Sequence, residues 1–247
     1  MIMIFVFDID GTISKNGLKV SDEICTAITH LLANHQVIFA SARPIRDMLP
    51  MLNTKLTEHK NTILVGCNGG MAYQQGNVIL SKLLDNQYVK NCLTQLNQLN
   101  LAYVLDGKWA FSLSKQPHDF HHYIDSLSND RIEERDLLND GVSKILVLLD
   151  RPNQAIYDQF NVDNISFHIH KKEHFFDITP QGNNKYHTLK QLIGNQDYVV
   201  FGNDFNDFLM LEQAKLSVYL GDKQEFQADY YLDDVDLVGK FINQHFL

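Results

Sequence analysis

The sequence predicts an α/β protein with a Rossmann-like, doubly wound parallel sheet core and an inserted α+β cap domain. Short apolar strands alternate with amphipathic helices near both ends of the chain, which is typical of a parallel sheet with right-handed crossovers. In the middle of the chain, short turns separate adjacent strands, which favours an antiparallel or mixed sheet. We therefore expect residues 1–80 and 181–247 to form the core, and residues 81–180 to form the inserted cap.

The alternation of strands and helices is clearest in the first 70 residues. Residues 2–7 carry no polar side chain, as expected for a strand that is covered on both faces. A helix should begin near Ser21, a good N-cap residue followed by two acidic residues and then an apolar stripe. Two more apolar strands, at 37–40 and 63–65, enclose a helix predicted over residues 45–56.

The middle of the chain predicts a hairpin followed by a mixture of helices and strand pairs. The hairpin strands are residues 71–73 and 78–80, on either side of a turn that contains glycine. The later elements of this region are a helix at 88–96, strands at 102–105 and 109–113, a helix at 118–126, a strand at 144–149, a helix at 152–160, and strands at 165–170 and 174–178.

After residue 180 the alternation of strands and helices returns, which predicts that the parallel sheet resumes there. The expected elements are a helix from 185, a strand at 198–201, a helix ending at 213, a strand at 216–220 and a last helix from 235.

Composition limits the class of protein. The chain has 247 residues, of which 45% are hydrophobic and 21% charged, as is usual for a globular protein. A net charge of −9 and the lack of long Lys/Arg runs argue against a nucleic-acid surface, which needs a basic face. Three cysteines without a Cys-x-x-Cys pair argue against a disulfide framework or a zinc ribbon.

The sequence also bears on location and partners. No apolar run approaches the ~20 residues of a membrane span, and no basic segment precedes an apolar one as in a signal peptide. We therefore expect a cytoplasmic protein without a membrane or nucleic-acid partner, as a monomer or weak homodimer. An acidic protein that binds an anion needs a local cation, and a bound metal would supply it.

Two carboxylates follow the first strand directly. Asp8 and Asp10 are two residues apart, so both side chains leave on the same side if the strand geometry persists. They would then lie past the carboxyl end of the strand, where open α/β sheets bind their ligands. Because adjacent acids repel each other, a cation or a shared proton is expected between them. The alternative is an Asp-rich turn that only caps the next element.

Three further segments have a functional and a purely structural interpretation. Ser41 follows the second strand and is either an anion contact at a helix start or a plain N-cap. Lys185 begins a helix, where the dipole disfavours a cation, so it is either functional or solvated. Residues 202–207 carry carboxylates and carboxamides, which suit Mg²⁺ or form an Asx-rich turn. His168 and His170 would share one face of a strand, which is a spacing that metal ligands can have. The simpler interpretation is that both are polar residues on a solvated strand face.

Taken together and in this order, these segments resemble the motifs of the haloacid dehalogenase superfamily. The resemblance is to the Cof-type phosphatases, in which a large C2-type cap is inserted after the third core strand, and it covers about residues 1–70 and 180–220. The matching motifs are residues 8–12, Ser41, Lys185 and residues 202–207. In three places the chain departs from the family pattern: Asn203 replaces an Asp, Ala42 replaces a Gly, and the usual Gly-Asn-Ala segment is not recognisable at residues 220–223.

The resemblance implies Mg²⁺-dependent hydrolysis of a phosphomonoester, with a small phosphorylated metabolite such as a sugar phosphate as substrate. Asp8 would attack phosphorus to form an aspartyl-phosphate, and Asp10 would act as general acid and base. The metal ligands would be Asp8, Asp10 through its backbone carbonyl, and Asn203, with Asp204 as the alternative to Asn203. The phosphate-binding residues would be Ile9, Ser41, Ala42, Lys185 and Asn206.

Two other functions share these motifs. A phosphotransferase or phosphomutase would use the same core but keep water away from the aspartyl-phosphate. A receiver-type phosphoacceptor module also combines acidic residues, Ser/Thr and Lys, although an insertion of about 100 residues argues against a single compact receiver domain. The substrate would be selected by cap side chains, for which the candidates are Asp106, Lys108, Trp109, Lys144 and His170.

Overall fold

The computed structural model describes residues 2–15, 17, 19–170 and 173–247, and the chain divides into two compact units. Unit 1 consists of Met1–Ile79 and Asn184–Leu247, and unit 2 is Leu80–Asn183. The catalytic and substrate-selecting roles that we assign to the two regions stay predictions. Within the described residues, no helix has both the length and the apolar character needed to cross a bilayer.

The strands of the described residues supply one large sheet in unit 1 and a separate sheet in unit 2. In chain order they are β1 (Ile4–Phe7), β2 (Gln36–Ala40), β3 (Thr62–Gly66), β4 (Met71–Gln74), β5 (Asn77–Ser81), β6 (Ala102–Asp106), β7 (Phe111–Leu113), β8 (Lys144–Leu148), β9 (Ile165–Ile169), β10 (Phe176–Pro180), β11 (Tyr198–Gly202), β12 (Leu216–Leu220) and β13 (Tyr230–Leu232).

The α-helices of the described residues connect these strands. They are α1 (Asp22–Leu32), α2 (Ile45–Met48), α3 (Thr54–Thr57), α4 (Asn86–Gln98), α5 (Asp119–Leu127), α6 (Glu134–Asp140), α7 (Gln154–Phe160), α8 (Lys185–Ile193), α9 (Phe208–Glu212) and α10 (Leu237–His245).

The large sheet has the strand order β13-β12-β11-β1-β2-β3-β4-β5. The neighbours from β13 to β3 are parallel, and β4 runs antiparallel to β3. Strand β1 lies between β2 and β11 and is completely buried, which explains its uninterrupted apolar sequence. The carboxyl ends of β1, β2, β3 and β11 therefore meet at one edge of the sheet. The predicted α/β fold class is confirmed.

Local sequence signals define the first helix and the centre of the sheet. The Ser21 hydroxyl accepts a hydrogen bond from the Ile24 N–H and so caps α1, as predicted. The ring of Phe7 stacks on Phe201 with 4.7 Å between the ring centroids and lies 6.1 Å from Phe39. These aromatic contacts join β1 to both of its neighbours, which holds its carboxyl end in place.

Unit 2 contains an antiparallel sheet of strand order β7-β6-β8-β10-β9. One face packs on apolar residues of α4, α6 and α7, and part of the other face packs on α5 through Ile124. On the α5 side, buried Asp106, Lys144 and Asp177 form a charged cluster with His170. Three of the five candidate cap residues therefore lie in one cluster.

Three elements differ from the sequence predictions. The single helix predicted over residues 45–56 is wrong, because the chain forms α2, a 3₁₀ turn and α3 instead. Pro50 lacks the N–H that a continuous helix needs, and the Asn53 side chain accepts from the Lys55 N–H to start α3. Helix α6 and strand β13 were not predicted, since the only apolar residues of α6 are two adjacent leucines, which form no stripe, and β13 shows no alternation of polar and apolar residues.

The charged cluster of unit 2 depends on Asp177. Its carboxylate lies 3.4 Å from the Lys144 ammonium and 3.0 Å from His170 Nε2. Burial by itself would raise the pKa of Asp177, but Lys144 and His170 hold the pKa well below its usual range. Its stabilising effect is therefore present above the ordinary pKa of 3.8 and is lost as the pH falls through the lowered value.

We expect Asp177→Asn to lower the free energy of unfolding at pH 7 by about 3 kcal/mol, because it leaves part of a buried charge without its partner. The loss of unfolding free energy should become smaller below pH 4, which urea unfolding at pH 7 and at a pH below 4 would measure. The matched control is Asp197→Asn, which breaks an exposed 3.0 Å pair with Lys215 and should cost less than about 1 kcal/mol. Equal losses in both variants would contradict this account of the cluster.

Candidate active site

A buried lysine joins two carboxylates at the edge of the large sheet. The Nζ atom of Lys185 lies 2.6 Å from Oδ1 of Asp8 and 2.8 Å from Oδ1 of Asp207. Asp8 directly follows β1, Lys185 is the first residue of α8, and Asp207 follows β11, so three separate segments meet here. All three side chains are buried. Lys185 is therefore not the solvated lysine that the sequence left as one of two alternatives.

The cluster carries more negative than positive charge. Burial and, to a smaller extent, the nearby Asp207 carboxylate raise the pKa of Asp8 to about 7, and Lys185 only partly opposes them. Burial by itself would lower the pKa of Lys185, but Asp207 and Asp8 raise it above its usual range. Lys185 therefore remains an ammonium group, and a cation beside Asp8 would favour the carboxylate form that a nucleophile requires.

Asp207 is a site residue that our sequence analysis omitted. Its Oδ2 atom accepts hydrogen bonds from the backbone N–H groups of Asn203 and Asp204, at 3.1 and 3.2 Å. Gly202 allows this turn to close, because a Cβ at that position would lie 2.8 Å from the Cβ of Asp207. The available signal was its place as the last acidic residue in the 202–207 segment.

Asp10 is paired with an arginine that the sequence analysis also missed. Arg43 Nε donates to Oδ2 of Asp10 at 2.7 Å, and Nη2 donates to Oδ1 at 3.0 Å. Both oxygens of the carboxylate are therefore occupied in a bidentate contact, which fixes its orientation. Arg43 stands only two residues after Ser41, next to the predicted anion contact, and this position was the signal for it.

The two residues proposed for the third metal ligand have different surroundings. The hydroxyl of Thr12 lies 2.8 Å from Asp8 Oδ2 and 3.1 Å from Asn203 Oδ1, so Asn203 is next to the first motif. Gly11, at φ 83°, permits this approach, because a Cβ there would overlap the Asn203 amide. The Asp204 carboxylate instead accepts from the Phe205 N–H at 2.7 Å and caps the following turn.

The predicted phosphate-binding residues are only partly brought together. Asn206 Oδ1 lies 3.5 Å from Lys185 Nζ. Ser41 is buried after β2, and its Oγ accepts from the Arg43 N–H at 3.1 Å, a local turn contact. Ile9 is buried after β1, where its carbonyl accepts the N–H groups of the next turn. Ala42 lies beside Ser41, and the phosphate-binding roles of all these residues stay predictions.

The donor set at this edge of the sheet suits magnesium. Among the residues that the structure describes, no three His, Cys, Asp or Glu side chains are arranged to hold a metal. The predicted ligands are of another kind, since they combine the Asp8 carboxylate, the Asp10 backbone carbonyl and the Asn203 amide oxygen. Such hard oxygen donors are what Mg²⁺ prefers, and the excess negative charge around Asp8 favours a cation.

Comparison with known proteins identifies the family. A model of the haloacid dehalogenase-like hydrolases matches residues 5–226. The chain belongs to this family. The resemblance to its Cof-type members, seen first in the motifs, is thereby confirmed, and the fold is one that hydrolases and phosphotransferases share.

Individual relatives of this haloacid dehalogenase-like chain are distant in sequence. An uncharacterized protein of Mycoplasma capricolum is 20% identical over 255 residues, which span 92% of this chain and 96% of the relative. A haloacid dehalogenase-like hydrolase from Bacteroides thetaiotaomicron aligns over 100% of both chains at a TM-score of 0.85 and 19% identity. A haloacid dehalogenase-like hydrolase from B. subtilis also aligns over 100% of both chains, at a TM-score of 0.81 and 18% identity.

A further structural relative is a sugar phosphatase of haloacid dehalogenase subclass IIB. It aligns over 98% of both chains at a TM-score of 0.73 and 17% identity. At sequence identities this low, the structural likeness establishes the fold of this chain and nothing about its substrate.

Asp8 and Asp207 should have opposite effects on stability, although both contact Lys185. Since the folded state raises the pKa of Asp8 from 3.8 to about 7, ionised Asp8 costs stability as the pH rises through this interval. We therefore expect Asp8→Asn to raise the melting temperature at pH 8 in the presence of a chelator, and to leave it unchanged near pH 4.

Asp207→Asn is the matched variant for this measurement. The amide replaces an acceptor oxygen of Asp207 by a donor, which would face the N–H groups of residues 203 and 204 or the Lys185 ammonium. Leaving such a buried group unsatisfied costs about 1–3 kcal/mol, so this variant should melt at a lower temperature at pH 8. A shift of the same sign in both variants would show that the charges of the cluster are assigned wrongly.

Proposed function

We propose that this protein is a Mg²⁺-dependent phosphomonoester hydrolase that acts on a small phosphorylated metabolite through an aspartyl-phosphate intermediate. The observation that carries the proposal is the contact of Asp8 with both Lys185 and Thr12, which holds a buried carboxylate between donors at the edge of the sheet. Membership in the haloacid dehalogenase-like hydrolase family supports it. The sugar phosphatase among the structural relatives makes a sugar phosphate a suitable first substrate class.

In the first half-reaction, a carboxylate oxygen of Asp8 attacks phosphorus, and the bond between phosphorus and the leaving oxygen breaks. Asp10 gives its proton to that oxygen, so the product leaves as an alcohol. In the second half-reaction, Asp10 takes a proton from water, which attacks phosphorus and releases phosphate from Asp8. Two displacements through a covalent intermediate replace one more difficult displacement.

Lys185 and Asn206 would hold the phosphoryl oxygens during both steps. The Lys185 ammonium is already fixed by two carboxylates, so little reorganisation is needed when phosphate charge arrives. Ser41 and the backbone N–H groups at Ile9 and Ala42 are proposed as further donors.

Arg43 holds both oxygens of Asp10, and at least one of these contacts must loosen before Asp10 can exchange a proton with substrate. Arg43 is thus proposed to orient the general acid and base.

Asp8, the backbone carbonyl of Asp10 and Asn203 would hold Mg²⁺. When bound, the ion supplies positive charge that stabilises the phosphoryl oxygens as negative charge develops on them. The carboxylate of Asp8 is the ligand that also reacts. Its contact with Thr12 orients the group for both purposes.

A screen of phosphorylated metabolites with Mg²⁺ tests the proposal. We expect sustained release of phosphate, and a fall in kcat of roughly 10³–10⁶-fold in Asp8→Asn, because the shape is kept while the nucleophilic charge is removed. Asp204→Asn, which changes an exposed capping carboxylate in the same segment, should keep most of the activity.

The outcomes of this screen separate the alternatives. Transfer of phosphate to an alcohol or sugar acceptor instead of water would indicate a phosphotransferase or phosphomutase. A single equivalent of bound phosphate without turnover would indicate a receiver-type module. Turnover by well-folded Asp8→Asn protein would refute the assignment of the nucleophile.

The amide at residue 203 should weaken magnesium binding. Asn203→Asp adds a negative charge beside Asp8, so we expect a lower Mg²⁺ concentration for half-maximal activity. A magnesium titration of this variant and of Asp204→Asn checks the assignment, and only the first should shift. If Asp204→Asn alone changes the magnesium dependence, Asp204 is the ligand.

A further inference from the structure

The turn after β3 has an unusual backbone. Cys67, Asn68 and Gly69 follow one another with φ values of 52°, 53° and 95°, all in the left-handed region. Non-glycine residues rarely adopt this conformation, and they keep it only where the surrounding structure holds them there. None of the roles assigned so far involves this turn.

Backbone contacts tie the turn to two predicted parts of the site. The Asn68 N–H donates to the Ser41 carbonyl at 3.1 Å. On the other side, the Gly69 carbonyl accepts from the Thr188 hydroxyl at 2.6 Å, one turn after Lys185 in α8. A Cβ on Gly69 would overlap the Asn184 carbonyl, so the turn packs closely on the start of α8. The turn therefore connects the end of β2 with the helix that carries Lys185.

The side chain of Asn68 reaches the third predicted part of the site. It is buried, and its Oδ1 accepts a hydrogen bond from Asn206 Nδ2 at 3.3 Å. The other end of the Asn206 amide, Oδ1, lies 3.5 Å from Lys185 Nζ. Both ends of the Asn206 amide thus have partners, which determine which end is oxygen and which is nitrogen. An amide NH₂ group has two hydrogens, so Asn206 can donate one to Asn68 and the other to an anion.

We propose that Asn68 is a positioning residue that orients the Asn206 amide so that its NH₂ group, and not its oxygen, faces the phosphoryl group. This inference rests on the proposed function, because it requires that Asn206 binds phosphate. A reversed amide would present an oxygen to an anion and would lose a donor. A hydrogen bond to a charged group is worth enough to change phosphate affinity by about 10-fold.

Asn68→Gly is a suitable variant, since glycine adopts φ 53° without strain and the backbone contacts can persist. We expect it to raise the KM for a phosphomonoester and the dissociation constant of inorganic phosphate about 10-fold, with a smaller change in kcat. The matched control is Asn100→Gly, another asparagine at positive φ (55°), which lies in unit 2 and should leave both constants unchanged.

A double-mutant cycle tests whether Asn68 acts through Asn206. Phosphate binding is measured by calorimetry in the presence of Mg²⁺ for Asn68→Gly, Asn206→Ala and the double variant. If Asn68 only orients Asn206, the double variant binds phosphate no more weakly than Asn206→Ala alone. Additive losses, or unchanged phosphate binding in Asn68→Gly when the wild-type protein is active, would overturn this inference and leave the proposed function intact. A wild-type protein that neither hydrolyses phosphomonoesters nor binds phosphate would overturn both.

Discussion

The burial of one ammonium group between two carboxylates is the constraint on which the arrangement of unit 1 depends. Lys185 and Asp207 would each be costly to bury alone and compensate each other, whereas ionised Asp8 remains costly even with both of them present. Their geometry in turn requires that the carboxyl end of β1, the start of α8 and the turn after β11 lie at the same place. The parallel sheet provides this meeting point, because the carboxyl ends of neighbouring strands lie at one edge.

Several close backbone approaches serve the same constraint. Gly11, Gly69 and Gly202 each stand where a Cβ would collide with a neighbouring segment of the cluster. They allow the loops to approach closely enough for charged groups to make direct hydrogen bonds. The excess negative charge that remains is disadvantageous for stability and suitable for binding a cation, which is a common compromise at catalytic sites.

The sequence predicted the parts of this molecule that local patterns encode. The apolar run of β1, the capping serine of α1 and the acidic turns at the strand ends all have short-range signals, and the fold class followed from their order. The Arg43–Asp10 pair and the Asn68–Asn206 contact have no such signal, because they join residues 33 and 138 positions apart. Similarly, the break at Pro50 was missed because an apolar pattern outweighed a single residue. Predicting contacts between distant segments requires a three-dimensional structure, or a family whose contacts are already known.

The position of β1 has a consequence for how the protein is made. One side of β1 pairs with β2, some 30 residues later, but the other side pairs with β11, where Ile4 stands opposite Tyr198. At about 5–20 residues per second, a ribosome needs roughly 10–40 seconds to reach β11 after it has synthesised β1. Throughout that interval the most apolar strand of the sheet has an open edge and Asp8 has no lysine beside it. The growing chain is therefore most exposed to aggregation while the residues between β2 and β11 are being synthesised. Mutations that slow the synthesis of these residues should reduce the yield of protein even when the finished protein is fully stable.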